Sequence, residues 1–243
     1  MTPNTMLRKD AHLLVIGGAR GLGFELARTA SEQGARVTVT GRDAHVADAR
    51  AAELGPSARG LACDLSDAAS LGRLFTDIDV VDHLVLTAIE RDRNTAADFR
   101  ADAAARMMLI KTVGYANAVA HALPKLDPDG SVVLFSGLSM WRPSPGSTTL
   151  SMANAAILGL VNSLAVEIAP VRVNAITPGS VAGTEAIDNA DPVLAEFFEA
   201  QRQRTPAKRL PTPSDIVAAV LFLLTCPGVT GENLVVDAGA HLL

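Results

Sequence analysis

Two patterns of apolar residues alternate along this chain, short continuous runs and longer stretches with helical spacing. The run at 12–16 predicts a fully buried strand, and apolar residues return at helical spacing over 22–28. The same patterns predict strands at 36–40, 60–63, 81–86, 131–135, 171–176 and 233–237, and helices at 44–54, 66–78, 150–168 and 214–224, with another long helix ending near 123. Repeated βα units with short connections predict one doubly wound parallel α/β sheet with helices on both faces.

The segments between these elements are mostly short and polar. Ser66 is the predicted N-cap of the helix at 66–78. Residues 90–102 are charged and poor in large apolar side chains, so we expect a surface connection there, and 124–130 predict a turn. Residues 178–211 predict a loop with one or two short helices around 193–203. No change of composition divides the chain, so we expect a single domain over residues 1–243.

A glycine-rich stretch, Gly17-Gly18-Ala19-Arg20-Gly21-Leu22-Gly23, joins the first predicted strand to the first predicted helix. Glycines let the backbone turn tightly and approach phosphates, and a helix N-terminus offers free N–H groups and positive potential. This is the arrangement of a Rossmann-type dinucleotide site, although its spacing is Gly-x-x-x-Gly-x-Gly. A loop that only turns a corner is the alternative that the spacing leaves open.

The composition of the chain argues against several classes of partner. The net charge is −5, and the sequence has no cluster of basic residues that could bind along a phosphate backbone. We therefore do not expect nucleic acid as the main partner. Cys63 and Cys226 lie far apart, and no His-x-x-x-His or Cys-x-x-Cys pair occurs, so we expect no metal site. The polar N-terminus and the short apolar run after it predict neither a signal peptide nor a membrane span. We therefore expect a cytoplasmic protein with no membrane partner.

At the carboxyl ends of the predicted strands the sequence resembles the short-chain dehydrogenase/reductase family, and the resemblance covers nearly the whole chain. Gly17, Gly21 and Gly23 match the glycine motif of that family, and Asp64-Leu65 matches its adenine-contacting position. Residues 173–179 match the loop beside the nicotinamide, and 230–231 with 235–239 match the C-terminal signature. The resemblance implies a nicotinamide dinucleotide cofactor.

The end of the second strand indicates which dinucleotide is favoured. NAD sites usually present an acidic group to the ribose 2′-hydroxyl there, whereas NADP needs a cation for its extra phosphate. This chain has Gly41-Arg42 at that position and Arg20 in the glycine loop, which favours NADP(H) over NAD(H), with two solvated surface arginines as the alternative. The expected cofactor-binding residues are Gly17, Arg20, Gly21, Leu22, Gly23, Gly41, Arg42, Asp64, Leu65, Ala88, Pro178, Gly179, Val181 and Thr184.

The catalytic tetrad that the resemblance implies is missing. Gly137 stands at the serine position, Leu150 at the tyrosine, Asn154 at the lysine and Lys111 at the asparagine. In the family, the tyrosine hydroxyl transfers a proton as the hydride moves, and the lysine lowers the pKa of that hydroxyl. Leucine has no titratable group, so any acid or base in this chain must come from elsewhere.

Four residues are weak candidates for that role. Tyr115 is the only tyrosine, and it lies on the same helical face as Lys111. Ser136, next to Gly137, and Asn154 complete the set. A packed helix residue is the favoured alternative for Tyr115. Ser139, Trp141, Glu90 and Asp92 are more remote possibilities, and a solvated acidic loop is the better interpretation of the last two.

Three functions remain open at this point. The first is an NADP(H)-dependent oxidoreductase that acts on a small or apolar carbonyl or alcohol by an atypical mechanism. The second is a non-redox protein of the same fold, either an elimination, isomerisation or cyclisation enzyme or a cofactor-binding partner or sensor. The third is a vestigial nucleotide site. The resemblance also implies a homodimer or homotetramer through the Lys111 helix, the Leu150 helix and the C-terminal strand, with 178–211 as a substrate lid.

Overall fold

A computed structural model describes residues 6–188 and 192–243 of the chain. Seven parallel strands form one sheet in the order β3-β2-β1-β4-β5-β6-β7. The strands are β1 His12–Ile16, β2 Arg36–Gly41, β3 Ala58–Ala62, β4 Val81–Leu86, β5 Leu126–Phe135, β6 Arg172–Pro178 and β7 Asn233–Val236. The predicted doubly wound parallel sheet is therefore confirmed, and its strand order reverses between β1 and β4.

Helices cover both faces of the sheet. They are α1 Gly21–Glu32, α2 Ala44–Ala52, α3 Ala68–Thr76, α4 Ala101–Met108, α5 Gly114–Ala122, α6 Thr148–Glu167, α7 Glu185–Asp188, α8 Pro192–Arg204 and α9 Pro213–Thr225. Because successive side chains of a strand point to opposite faces, Leu13 and Leu14 of β1 enter different cores. Leu14 packs in the cluster that contains Ile157 of α6, and Leu13 packs in the cluster that contains Val220 of α9.

The start of β5 and the N-cap of α3 differ from the predictions for reasons that the structure shows. β5 begins at Leu126, where a turn was predicted, and Leu126 pairs with Val81 before an irregularity in the register. A bulge lets the polar residues that follow Leu126 lie within a strand. The N-cap of α3 is Asp67 instead of Ser66, since the Asp67 carboxylate accepts a hydrogen bond from Ala69 N at 2.9 Å.

The connection from β4 to α4 is less solvated than its charge predicts. Asp92 and Asn94 are 9% and 1% exposed. Asn94 Nδ2 donates to Asp92 Oδ2 at 2.8 Å and to Thr149 Oγ1 of α6 at 3.1 Å. The polar side chains of this segment thus bond to each other and to α6, so the prediction of a solvated acidic loop was wrong for Asp92.

A π-helical turn, Leu109–Val113, separates α4 from α5 within the predicted long helix. Such turns insert one extra residue and are frequent at functional sites. Lys111 and Ile110 are the buried residues of this turn. The turn therefore directs Lys111 into the protein.

Among the described helices, α6 is long and apolar enough to cross a membrane, judged by its length and composition alone. Its buried residues include Ile157, Val161 and Leu164, which belong to one of the two hydrophobic cores. A core helix of this kind satisfies the same test, so the measure is weak evidence for a membrane.

Candidate active site

The predicted cofactor-binding residues lie at the carboxyl edge of the sheet. In doubly wound sheets this edge binds ligands where the strand order reverses. The glycine-rich turn follows β1 and Ala88 follows β4, so they flank the reversal point. Arg42 follows β2, and Asp64 follows β3.

The glycine-rich turn is pressed against the end of β4. Gly17 has a φ of +87°, and a Cβ built on it would lie 2.7 Å from Ala88 N. The Thr87 hydroxyl donates to Gly17 O at 3.0 Å, and Gly17 N donates to Thr40 Oγ1 at 3.3 Å. The missing side chain at Gly17 therefore lets the turn lie against the end of β4, and the turn forms a cradle of bare backbone in front of the N-terminus of α1, which begins at Gly21. These residues fit the pyrophosphate of a dinucleotide.

The two arginines of the predicted phosphate site have different surroundings. Arg20 immediately precedes α1, is exposed and makes no capping hydrogen bond through its side chain. Arg42 Nη1 lies 3.1 Å from Glu90 Oε2, and Glu90 Oε1 lies 3.0 Å from Arg106 Nε. The sequence gives no sign of the first contact, because 48 positions separate the two residues.

Asp64 joins the same group of charges. Burial opposes its ionisation, but the Ser66 hydroxyl and N–H donate to Asp64 Oδ1 at 2.6 Å and 2.8 Å. With the nearby charges of Arg106 and Arg42, these bonds lower the pKa of the Asp64 carboxyl below its ordinary value. Asp64 is therefore an anion at neutral pH, at the position predicted to contact adenine.

The predicted nicotinamide loop is fixed by its neighbours in β7 and beyond. Gly179 N donates to Val236 O at 3.0 Å, and a Cβ built on Gly179 would lie 2.8 Å from the Asp237 Cβ. Thr184 Oγ1 donates to Val181 O at 2.7 Å. The matched C-terminal signature thus packs directly against the matched loop.

At the reaction end, the Asn154 side chain fills the space that a side chain at position 137 would need. A Cβ built on Gly137 would lie 2.7 Å from Asn154 Nδ2. That Nδ2 donates to Ser139 Oγ at 2.8 Å, while the Ser136 hydroxyl donates to Asn154 O at 2.9 Å. Asn154 Oδ1 is buried, and no described group bonds to it. The structure therefore holds an unused hydrogen-bond acceptor beside Gly137.

Lys111 reaches the same place from the π-helical turn. Its Nζ lies 3.4 Å from Ser136 O, the carbonyl of the peptide that leads into Gly137, and the side chain is 2% exposed. Burial lowers the pKa of Lys111 to about 7, and the positive charge of Arg91 acts in the same direction. The structure thus brings Lys111, Ser136 and Asn154 of the predicted catalytic candidates together.

Tyr115 stands apart from this group in its bonding. Its hydroxyl donates to Ala88 O at 2.9 Å, and the residue is fully buried. Burial raises the pKa of this hydroxyl, which is opposite to what a proton donor near neutral pH requires. The geometry favours a structural role, in which Tyr115 supports the backbone behind Gly17.

Leu150 is half-buried in the first turn of α6, one turn before Asn154. Within residues 6–188 and 192–243, no three His, Cys, Asp or Glu side chains form a group that could hold a metal ion. Among the sequence-predicted candidates that meet at the reaction end, Lys111 is the one that titrates near neutral pH.

Comparisons with known proteins identify the fold family. A family model described as enoyl-(acyl carrier protein) reductase matches residues 17–241. The chain belongs to the short-chain dehydrogenase/reductase family. Carbonyl reductase family member 4 of Xenopus tropicalis is 30% identical over 241 residues, which cover 94% of this chain and 97% of that protein.

Two further relatives agree with this assignment. Short-chain dehydrogenase/reductase malC of Malbranchea aurantiaca is 27% identical over 256 residues, which cover 97% of this chain and 96% of that protein. A solved structure of a small-chain dehydrogenase in complex with NADPH has a TM-score of 0.82 and 29% identity, with coverage of 97% of this chain and 100% of that one. The family binds nicotinamide cofactors, and its members act on small molecules.

Proposed function

We propose that this protein is an NADP(H)-dependent oxidoreductase that acts on a small or apolar carbonyl or alcohol without the usual tetrad. The observation that carries the proposal is the backbone cradle at Gly17 in front of α1, with Arg20 and Arg42 beside it. Two guanidinium groups suit the 2′-phosphate of NADP(H). The proposed cofactor-binding set is the one expected from the sequence, and the NADPH complex of a similar protein supports NADP(H) as the cofactor.

The reaction end supports a proton transfer through Lys111. A bound nicotinamide supplies or accepts hydride. Lys111, whose pKa burial lowers to about 7, would donate a proton to the substrate oxygen during reduction and be reprotonated afterwards, which requires the substrate to reach an amine that is 2% exposed. Asn154 Oδ1 would accept a hydrogen bond from a substrate hydroxyl, and Ser136 would hold Asn154 in place through its bond to Asn154 O.

A non-redox function is the second candidate. The observation in its favour is that Leu150 and Gly137 offer no proton donor, and that Asn154 fills the space beside Gly137. Such a site can bind a cofactor and hold a polar substrate group without transferring hydride. Elimination, isomerisation, cyclisation and a sensor or partner role all belong to this candidate.

The test combines binding with isotope transfer. NADPH and NADH are titrated by nucleotide fluorescence, and NADPH deuterated at C4 is then incubated with a panel of aldehydes and ketones. Deuterium in a product supports the oxidoreductase. Tight NADPH binding with no label in any product favours the non-redox candidate, and binding of neither nucleotide indicates a vestigial site.

Three further predictions accompany the proposal. Exposed apolar residues on the π-helical turn and α6, including Val113 at 59% and Val166 at 79%, support a homodimer or homotetramer that covers these helices. Light scattering coupled to gel filtration tests this.

We also propose that residues 178–211, which carry α7 and α8, form the substrate lid. Cytoplasmic localisation remains a prediction.

A further inference from the structure

Four charged side chains link the ends of three strands across the predicted adenosine site. Arg42 follows β2, Asp64 follows β3 and Glu90 follows β4, while Arg106 comes from α4. Because β1 lies between β2 and β4, the contact of Arg42 with Glu90 crosses the end of β1, where the glycine-rich turn begins. The group therefore lies where a dinucleotide must enter.

We propose that Glu90 weakens the preference for NADP(H), because its carboxylate holds Arg42 in the cofactor-free protein and competes with the 2′-phosphate of NADP(H) for that guanidinium. The inference rests on the proposed function, which makes Arg42 a ligand of the adenosine ribose. A guanidinium offers the same pair of N–H donors to a carboxylate and to a phosphate. Glu90 occupies only Nη1 of Arg42, so a 2′-phosphate bound to the other N–H donors would share the guanidinium with a second anion, and the repulsion between the two anions favours release of Glu90.

Arg106 makes that release feasible. Glu90 uses one carboxylate oxygen for Arg42 at 3.1 Å and the other for Arg106 at 3.0 Å. Arg106 is itself anchored through Nη1 to Ser66 Oγ at 3.2 Å. When Arg42 turns to a phosphate, Glu90 thus keeps one cationic partner.

Exposure sets the scale of the competition. The side chains of Arg42, Glu90 and Arg106 are 67%, 41% and 42% exposed. Ion pairs between side chains this exposed are weak, so Glu90 lowers the affinity for NADP(H) without abolishing it. The same carboxylate can accept a hydrogen bond from the 2′-hydroxyl of NAD(H), as acidic residues do in NAD sites. Glu90 thus favours NAD(H) where Arg42 favours NADP(H).

The experiment compares Glu90→Gln with wild type in titrations of NADPH and NADH at low ionic strength. Loss of the carboxylate should tighten NADPH binding by roughly 1.5-fold to fivefold and leave NADH binding unchanged or weaker. Glu53→Gln is the matched control, because Glu53 is 52% exposed and pairs with Arg50 at 2.7 Å on α2. The control should change neither affinity.

A second variant, Arg42→Gln, distinguishes competition for Arg42 from simple repulsion between Glu90 and the 2′-phosphate. In Arg42→Gln protein, which should bind NADPH more weakly, the gain from Glu90→Gln should shrink. An unchanged ratio of NADPH to NADH affinity in Glu90→Gln, or the same gain in both backgrounds, overturns the role of Glu90 while NADPH binding by wild type preserves the proposed function. Wild-type protein that binds neither nucleotide overturns both.

Discussion

The same sheet carries the cofactor end and the reaction end of this site, but the first depends on backbone geometry and the second on side chains. At the cofactor end, the fit depends on backbone, as at Gly17, where no side chain can stand. At the reaction end, the family chemistry depends on side chains, and by the resemblance proposed from the sequence the positions for serine, tyrosine, lysine and asparagine correspond to Gly137, Leu150, Asn154 and Lys111. Binding geometry and proton transfer are therefore separable in this fold.

The difference also appears in how each end is packed. Around Gly17, hydrogen bonds from Thr87 and to Thr40 hold the backbone against the neighbouring strand ends. Around Gly137, the amide of Asn154 fills the space that a serine side chain would take. The reaction end is thus filled by side chains, among which Lys111 and the free acceptor of Asn154 lie beside the backbone of residues 136 and 137.

The largest expected effect tests whether the reaction end transfers protons. Lys111→Met should lower the rate of carbonyl reduction by about 100-fold or more, because general acid catalysis contributes factors of this order. NADPH affinity should stay within about twofold, since the amine bonds to Ser136 O and not to the predicted cofactor set. Rates and affinities are measured by NADPH absorbance and fluorescence.

The pH profile of the same variant sharpens the result. Because the pKa of Lys111 is lowered to about 7, reduction by wild type should fall as pH rises through that value and the ammonium loses its proton. Lys111→Met should lack this step. Removal of a buried amine also relieves its desolvation, so the variant should unfold at an equal or higher temperature. Wild-type turnover in Lys111→Met would exclude Lys111 as the acid.

The second effect tests the backbone cradle. Gly17→Ala places a Cβ 2.7 Å from Ala88 N at a φ of +87°, so both NADPH and NADH should bind at least about tenfold more weakly. Gly72→Ala on α3 is the control, since no atom lies within 4 Å of its built Cβ. Affinity that is unchanged in Gly17→Ala, measured on protein with a native circular dichroism spectrum, would contradict the pyrophosphate assignment.

The third effect tests the contact between Gly137 and Asn154. Gly137→Ser should destabilise the protein by about 1 kcal/mol, because its Cβ meets Asn154 Nδ2 and the amide must give up its hydrogen bond to Ser139 Oγ to move away. In the background of Asn154→Ala the cost of Gly137→Ser should fall, with a coupling of at least about 0.5 kcal/mol. Urea unfolding of the wild type, both single variants and the double variant measures this. Additive free energies would show that the two positions are independent.

The smallest effect assigns Tyr115 to one end or the other. Tyr115→Phe removes the hydrogen bond to Ala88 O and should cost about 1 kcal/mol of unfolding free energy. Turnover should change by less than about twofold, since the hydroxyl is committed to the backbone behind the cradle. A loss of rate as large as that of Lys111→Met would instead return Tyr115 to the reaction end.

The sequence predicts those parts of the site that depend on local pattern. β1 and β4 were predicted with their observed bounds, and the glycine turn follows from a strand, glycines and a helix in succession. The contact of Arg42 with Glu90 has no local signal, because it depends on how far two strand ends lie apart in the folded sheet. The burial of Asp92 was missed because its partner Asn94 reaches Thr149 on a distant helix.

The space shared by Gly137 and Asn154 has a consequence for how the family chemistry could be introduced into the site. A serine introduced at 137 while Asn154 remained would meet an occupied volume. A lysine at 154 would need a tyrosine in place of Leu150 to act upon. Neither substitution alone supplies a tyrosine–lysine pair, so a route from this sequence to the family chemistry would require several changes together.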